Sequence, residues 1–327
     1  MALAVVKTIG TVASVAMPIA ENWTVRRCRY APEGESAGRL CLATGIHGDE
    51  MMGQLIAFGV AQRIMEEPEH LRGVVDIYPM LNPLGLDINE RLVPSGTRLD
   101  MNRAFPGAQD GTPLERMCHA LVQDMLGADL VLDIHTSTRN ASELYGVRMN
   151  AENARRMIPQ ARALCPEMIW VYPERETYSA LIATALSAEG TPALIIQADQ
   201  RRHLPQPIAQ RVVDGIFCKM KEMGLWTGDT MQAPAMEDIP CVRTREEAAR
   251  ISCETPGIYV PEASLGKWVE AGAVLGTVID ALEGVVREEI KAPCAGLVYT
   301  QRNYSAVYPG TLIAHICKNK LDGEGRP

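Results

Sequence analysis

Leu40-Cys41-Leu42-Ala43-Thr44-Gly45-Ile46-His47-Gly48-Asp49-Glu50 leads directly into Met52-Gly53-Gln54-Leu55-Ile56-Ala57-Phe58-Gly59-Val60-Ala61. The change of pattern between them decides the fold. Leu40 to Thr44 is a short apolar run, as expected of a parallel strand buried on both faces. From Met52 onward the apolar positions recur at helical spacing. His47 and Glu50 therefore stand at a strand-to-helix corner, at the carboxyl edge of a sheet, where open α/β sheets bind their ligands. An imidazole and a carboxylate three residues apart can aim at one point, and that pairing suits a divalent zinc ion. His-x-x-Glu alone is a weak signal and needs a third ligand.

Working outward, Thr24 to Tyr30 alternates like an edge or half-exposed strand, and Pro32 to Ser36 turns the chain. The helix after the corner ends near Glu66-Glu67-Pro68. Gly73-Val74-Val75-Asp76-Ile77-Tyr78-Pro79 is a second parallel strand that completes a β-α-β unit. Leu81 to about Thr112 has little periodicity and much Asn, Pro, Gly and Arg, and so long an irregular segment is more often functional than idle. Pro113 to Leu126 reads as a helix with Pro in its first turn. Leu130-Val131-Leu132-Asp133-Ile134-His135 is another buried strand, and it ends on a histidine. Ile169 to Tyr172 and Ala193 to Ile196 are further core strands, with helices at Ser179 to Glu189 and Pro207 to Met223.

Alternating strands and helices predict an α/β sheet covered on both faces through residues 1–228. The pattern stops around Gly228 to Pro234. After a charged stretch from Arg243 to Arg250, residues 229–327 read as a small all-β barrel or sandwich, with strands at Gly257 to Val260, Ala273 to Ile279, Gly296 to Tyr299 and Leu312 to Ile316.

The chain has 327 residues, 47% of them hydrophobic, enough for a sizeable core and two domains. Its net charge of −8 and pI near 5.4 argue against nucleic acid or an anionic membrane as a partner. Arginine pairs such as Arg26-Arg27, Arg155-Arg156 and Arg201-Arg202 read mostly as solvated faces. Nine cysteines with no Cys-x-x-Cys pair suit reduced, buried thiols in the cytoplasm. Met1 to Ala20 is broken by Lys7, Thr8, Gly10, Thr11 and Ser14, so it reads as opening strands and not as a signal peptide. No run reaches the length of a membrane helix. The expectation is a cytoplasmic protein acting on a small carboxylate, compatible with a homo-oligomer.

His135 supplies the third ligand. It too lies at the carboxyl edge of the sheet, and with His47 and Glu50 it makes a two-His, one-Glu set with a fourth position open to water, as in a zinc hydrolase. Asp133, two residues back on the same strand face, can orient a ligand. In the irregular segment, Thr97-Arg98-Leu99-Asp100-Met101-Asn102-Arg103-Ala104-Phe105-Pro106-Gly107 carries arginines suited to gripping a carboxylate and to stabilising an oxyanion.

Gly45 to Glu50, Met101 to Gly107 and Asp133-Ile134-His135-Thr136 together resemble the signatures of the succinylglutamate desuccinylase and aspartoacylase family, a branch of the zinc carboxypeptidase fold. Order, spacing and the β-rich tail agree, so the resemblance covers nearly the whole chain. It implies a mixed sheet flanked by helices, with one zinc ion (Zn2+) held by His47, Glu50 and His135. It further implies that Asn102 and Arg103 bind the substrate carboxylate and that Arg98 polarises the scissile carbonyl. Arg91 competes for that role, because the gap from Arg98 to Asn102 is shorter than in many relatives.

The sequence departs from the family at the general base. The family's glutamate at the end of a late core strand corresponds here to Gln197, in Ala193-Leu194-Ile195-Ile196-Gln197-Ala198-Asp199. A neutral amide cannot accept a proton from the attacking water. Asp199 would face the same way if the strand continued, and Glu143, Glu174 and Glu176 are weaker candidates. The tail resembles biotinyl and lipoyl carrier domains, but its turn Ile279-Asp280-Ala281-Leu282-Glu283-Gly284 has no lysine, so it reads as a shield over the active-site mouth. Tyr304 and Tyr308 either reach into that mouth or are buried in the barrel.

Three functions follow. The leading one is a zinc-dependent amidohydrolase of small N-acyl amino acids. The second, motivated by Gln197, is a catalytically silent relative that binds a small carboxylate. A peptide carboxypeptidase is third, because a barrel over the cleft disfavours long substrates.

Overall fold

The apolar runs read as buried strands form the centre of a nine-stranded mixed sheet. The computed structural model describes residues 5–17, 21–94, 99–137, 140–172, 180–199, 204–242 and 244–318. In chain order the elements begin with β1 (Val5–Ala16), β2 (Asn22–Pro32), β3 (Arg39–Thr44), α1 (Met52–Glu66), β4 (Val74–Tyr78) and α2 (Pro83–Asp87). Then come α3 (Pro113–Met125), β5 (Leu130–His135), β6 (Ala141–Glu143), β7 (Gly146–Asn150), α4 (Ala154–Arg162) and β8 (Met168–Tyr172). The sheet region ends with α5 (Ile182–Ala188), β9 (Ala193–Gln197), α6 (Gln206–Glu222) and β10 (Cys241–Val242).

The strand order is β1-β2-β4-β3-β5-β9-β7-β8-β10. Strands β4, β3, β5 and β9 are mutually parallel, while β7 joins β9 antiparallel and β8 and β10 follow β7. Both faces are covered, which is why the central strands are apolar without alternation. Leu40, Leu42, Leu130, Leu132 and Ile134 pack with Ile56 and Val60 of α1 and Val212 and Ile216 of α6. The alternate residues Cys41, Ala43, Val131 and Ile195 pack with Met117 and Leu121 of α3 and Ile182 and Leu186 of α5.

The tail supplies β11 (Ala248–Ser252), β12 (Gly257–Pro261), β13 (Trp268–Val269), β14 (Val274–Asp280), β15 (Val285–Lys291), β16 (Gly296–Arg302), β17 (Ala306–Val307) and β18 (Leu312–Cys317). These form the sheets β11-β18-β16-β13 and β15-β14-β12-β17, packed around Tyr259, Val278, Val298, Ile313 and Ile316. Two strands cross the division expected near Gly228. Strand β10 pairs with β8 in the large sheet, and β6 pairs with β16 of the tail.

Strands β6 and β7 and helix α4 have no counterpart in the sequence-based reading. They are short, β7 buries only Val147 and Met149 in the core, and α4 carries Pro159 in its interior. Strand β11 begins inside the stretch read as charged, with Arg250 exposed and Ile251 turned into the core.

Arg27 is not a solvated residue. From β2 it bonds both oxygens of Asp124 at 2.9 Å and lies 3.5 Å from Asp76 of β4. Asp76 is fully buried and also receives a two-bond fork from Arg29 and a bond from Arg39, each at 2.7 Å. Burial alone would raise the Asp76 carboxyl, but the three guanidinium groups hold it below its ordinary value. Asp76→Asn should therefore destabilise the fold by about 3 kcal/mol, as expected when one partner of a buried pair is removed. A group depressed on folding stabilises above its unfolded pKa of about 3.9 and loses that contribution as pH falls through its lower folded value. Denaturant titrations at pH 7 and pH 3 should accordingly show a smaller gap between variant and parent at the lower pH.

Candidate metal centre

Two glycines set the corner after β3. Gly45 has φ +71°, and a Cβ there would lie 2.5 Å from the Met80 sulfur. A Cβ at Gly48 would fall 2.1 Å from the Gly85 carbonyl carbon of α2, so only glycine lets the corner seat on that helix. The Gly48 N–H donates to the Arg91 carbonyl at 3.3 Å, and the Asn82 N–H donates to the Gly45 carbonyl at 2.8 Å. Residues 82–91 are thereby held against the corner, with the Arg91 side chain directed at Glu50.

Sheet register then brings the three expected ligands together. Strand β3 pairs with β5, and β5 with β9, so that His135 stands opposite Gln197. His47, Glu50 and His135 are all buried, and their ligating atoms lie within 4.8 Å of one another. His47 Nδ1 is 2.8 Å from Glu50 Oε1, and His135 Nδ1 is 2.9 Å from Glu50 Oε2. The opposite nitrogens face carboxylates: His47 Nε2 is 3.1 Å from Asp100 Oδ1, and His135 Nε2 is 3.0 Å from Asp133 Oδ2. This is how metal-ligating histidines are held, with the outer nitrogen donating to a carboxylate so that the inner lone pair is free for the ion.

The chemistry of the cluster fits a divalent cation. Protein groups alone set the Glu50, Asp100 and Asp133 carboxylates against two imidazoles and the half-buried Arg91, whose Nη1 donates to Glu50 at 2.6 Å. Burial alone would raise the Glu50 carboxyl, yet the imidazoles of His47 and His135 hold it well below the usual carboxylate range. Burial would lower His135, but Asp133 and Glu50 push it up to about 10. A site that draws extra positive charge so strongly is suited to a metal ion. His47 Nδ1 is consistent with this, being buried with no well-directed hydrogen bond.

Asp133 occupies the orienting position read from the sequence. Asp100 was missed, although a signal existed, since two histidine ligands call for two orienting carboxylates and only one had been found. Asp100 also starts the short 3-10 turn of Met101–Arg103 by accepting from the Asn102 N–H at 3.0 Å. That turn places Asn102 Nδ2 3.4 Å from His135 Nε2 and lets Arg103 donate to the Asn102 carbonyl at 2.6 Å. Arg98 lies outside the described residues; the arginine seen beside the ligands is its competitor, Arg91.

A cavity of about 500 Å³ opens above the cluster. His47, Glu50, Arg91, Asn102, Arg103 and Gln197 are among the residues that line it. Gln197 closes β9, is buried, and faces the cavity with Ile195. Asp199 does not share that direction. The strand stops at Gln197, the Asp199 backbone turns to φ +52°, and its buried side chain is not part of the lining. Glu143 does line the cavity, whereas Glu174 and Glu176 lie outside the described residues.

The tail contributes Thr300 of β16 and Leu312 and His315 of β18 to the cavity wall. Tyr304 and Tyr308 fit neither reading made for them, being exposed and absent from the lining. A pattern of tyrosines among turn residues gave no warning that the inward positions belonged to neighbouring strands.

Residues 36–200 match the model of the succinylglutamate desuccinylase/aspartoacylase catalytic domain. No curated protein sequence matches the chain. Among solved structures, a succinylglutamate desuccinylase/aspartoacylase from Rhodobacter sphaeroides aligns with TM-score 0.77 at 20% identity, covering 97% of this chain and 96% of that one. The product-bound ectoine utilization protein EutE (DoeB) from Ruegeria pomeroyi aligns with TM-score 0.76 at 20% identity, covering 95% and 94%. An aspartoacylase family protein from Mesorhizobium loti gives 0.73 at 21%, covering 96% and 95%. These likenesses establish a shared fold along almost the whole chain. Since the family model spans half of the residues, including every expected metal ligand, the chain belongs to the succinylglutamate desuccinylase/aspartoacylase family.

Proposed function

We propose that this protein is a zinc-dependent hydrolase that cleaves the amide bond of a small N-acyl amino acid or related carboxylate-bearing substrate. The observation that carries the reading is the convergence of buried His47, Glu50 and His135 at the floor of a cavity that also presents Asn102, Arg103 and Arg91. Zinc held by the three ligands would supply Lewis acidity to the scissile carbonyl and to an attacking water. Arg103, with Asn102 beside it, grips a substrate carboxylate through its fork of donors. Arg91 takes the role first assigned to Arg98 and holds the developing oxyanion. Gln197 can position the attacking water by hydrogen bonding but takes no proton, so turnover by the natural protein should be slow. The nine cysteines are free thiols, which supports a cytoplasmic setting, and no helix among the described residues is long and apolar enough to cross a membrane.

Metal analysis by mass spectrometry on protein purified without added metal tests the site. About one zinc per chain is expected, as for a site with three protein ligands, and His47→Ala should lose it. A screen of N-acyl amino acids on the zinc-loaded protein tests the activity. Stoichiometric zinc with no turnover of any N-acyl amino acid or short peptide would sink the hydrolase reading.

Gln197 on the cavity wall favours a second reading, a silent family member that binds a small carboxylate. Substituting glutamate there separates the two.

A further inference from the structure

Away from the metal ligands, the cavity wall holds an arginine and a glutamate for which the proposed hydrolysis has no use. Arg148 of β7 stands in register with Ile195 of β9, which pairs in turn with Asp133 of β5. It is therefore two strand spacings from the metal strand, about 10 Å. Its guanidinium donates to Glu143 Oε1 at 2.5 Å and lies over the Trp170 ring, 4.4 Å from the centroid. Glu143 in turn stands in one cross-strand row with Thr300 and His315, and all of these residues line the cavity.

A role confined to stability explains this poorly. A buried ion pair contributes little net stability, because desolvation consumes most of the attraction. A pair needed only to join β6 to β7 would not have to face a cavity of about 500 Å³. The glutamate is nearly buried, and the arginine keeps a quarter of its side-chain surface open. Stacking on Trp170 holds the guanidinium plane in place on the cavity wall. Because the pair is close to neutral overall, it has no strong preference for a bare carboxylate or a bare ammonium. It complements a group that carries both, with the carboxylate on Arg148 and the ammonium on the free oxygen of Glu143. Ile195 of β9 lies between the Arg148 strand and the metal strand, and with Leu181 and Leu312 it gives the cavity wall apolar surface suited to a short methylene chain.

From this arrangement we infer that Arg148 and Glu143 form a zwitterion subsite, so that the preferred substrate is a diamino acid acylated on its side-chain amine, with free α-amino and α-carboxylate groups. The inference rests on the hydrolase reading for the position of the scissile bond and moves the grip on the α-carboxylate from Arg103 to Arg148, but binding at the subsite is measurable without turnover.

The test uses zinc-loaded full-length protein and methanesulfonamide probes, which an amide hydrolase does not cleave. Calorimetric affinities are compared for Nδ-methanesulfonyl-ornithine, its decarboxylated analogue N-methanesulfonyl-putrescine, and its deaminated analogue 5-methanesulfonamidopentanoate. Removing either charge should weaken binding by roughly tenfold or more, the scale of one charge-assisted hydrogen bond. In Arg148→Gln the ornithine probe should fall to the affinity of the decarboxylated analogue, and in Glu143→Gln to that of the deaminated one. The wild-type series stands by itself if either variant fails to fold.

Equal affinity for all three probes would overturn the subsite, as would no binding of any of them, or tighter binding of an Nα-acylated amino acid. Charge-dependent binding in a protein that hydrolyses no amide would leave the subsite standing and remove the hydrolase. Hydrolysis of Nα-acyl amino acids without charge-dependent probe binding would do the reverse.

Discussion

Gln197→Glu should raise kcat on an accepted N-acyl amino acid by about 10²–10⁴-fold, the usual contribution of a positioned general base. Glutamine and glutamate have nearly the same shape, and residue 197 closes β9 on the cavity wall, in register with His135. The substitution therefore places a carboxylate at the edge of the metal centre without repacking the strand. Only its ionised form can accept the proton, so the variant should lose its added rate as pH falls and the carboxylate protonates. Stopped-time assays across pH 5 to 9 on zinc-loaded proteins would measure both effects. A fall in rate, with metal retained, would show that the amide has a task of its own, such as orienting the water, which a carboxylate performs less well.

Arg91→Ala is expected to lower kcat by about 10²–10³-fold with little change in KM, the signature of a donor that acts on the oxyanion and not on the bound substrate. The arginine reaches the metal centre because α2 and the residues after it are clamped to the Gly45–Gly48 corner, leaving its Nη1 2.6 Å from Glu50. Metal content has to be measured alongside, since loss of Arg91 removes positive charge next to a ligand. Arg98→Ala is the paired variant. The sequence favoured Arg98 by its closeness to Asn102 and Arg103, and a loss there as large as at Arg91 would return the role to it.

These two residues show where sequence reasoning was strong and where it lacked information. Gln197 was identified through the family resemblance, which implies a glutamate at the end of a late core strand, and the apolar run from Ala193 to Ile196 located that strand end. Arg91 was named only as a competitor, since its position depends on a loop whose course is set by side-chain and backbone contacts. Asp199 failed for a related reason: two-residue periodicity places a side chain only while the strand lasts, and this one ends at Gln197. The short strands β6 and β7 were invisible because neither buries a long apolar run, and β6 is formed by pairing with β16, more than a hundred residues away in the chain.

What the sequence determined by itself is therefore the part of the protein written in local pattern. Continuous apolar runs separated by helical spacing specify the central sheet, and polar residues at the ends of those runs specify the ligand set His47, Glu50 and His135. Both are short-range consequences of hydrophobic burial. Only the tertiary structure decided which further groups face that centre. Asp100, Arg91, Arg148 and Glu143 come from loops or short strands whose place depends on register, close glycine packing and pairing with the C-terminal sheets. Those are long-range contacts, and no local periodicity encodes them.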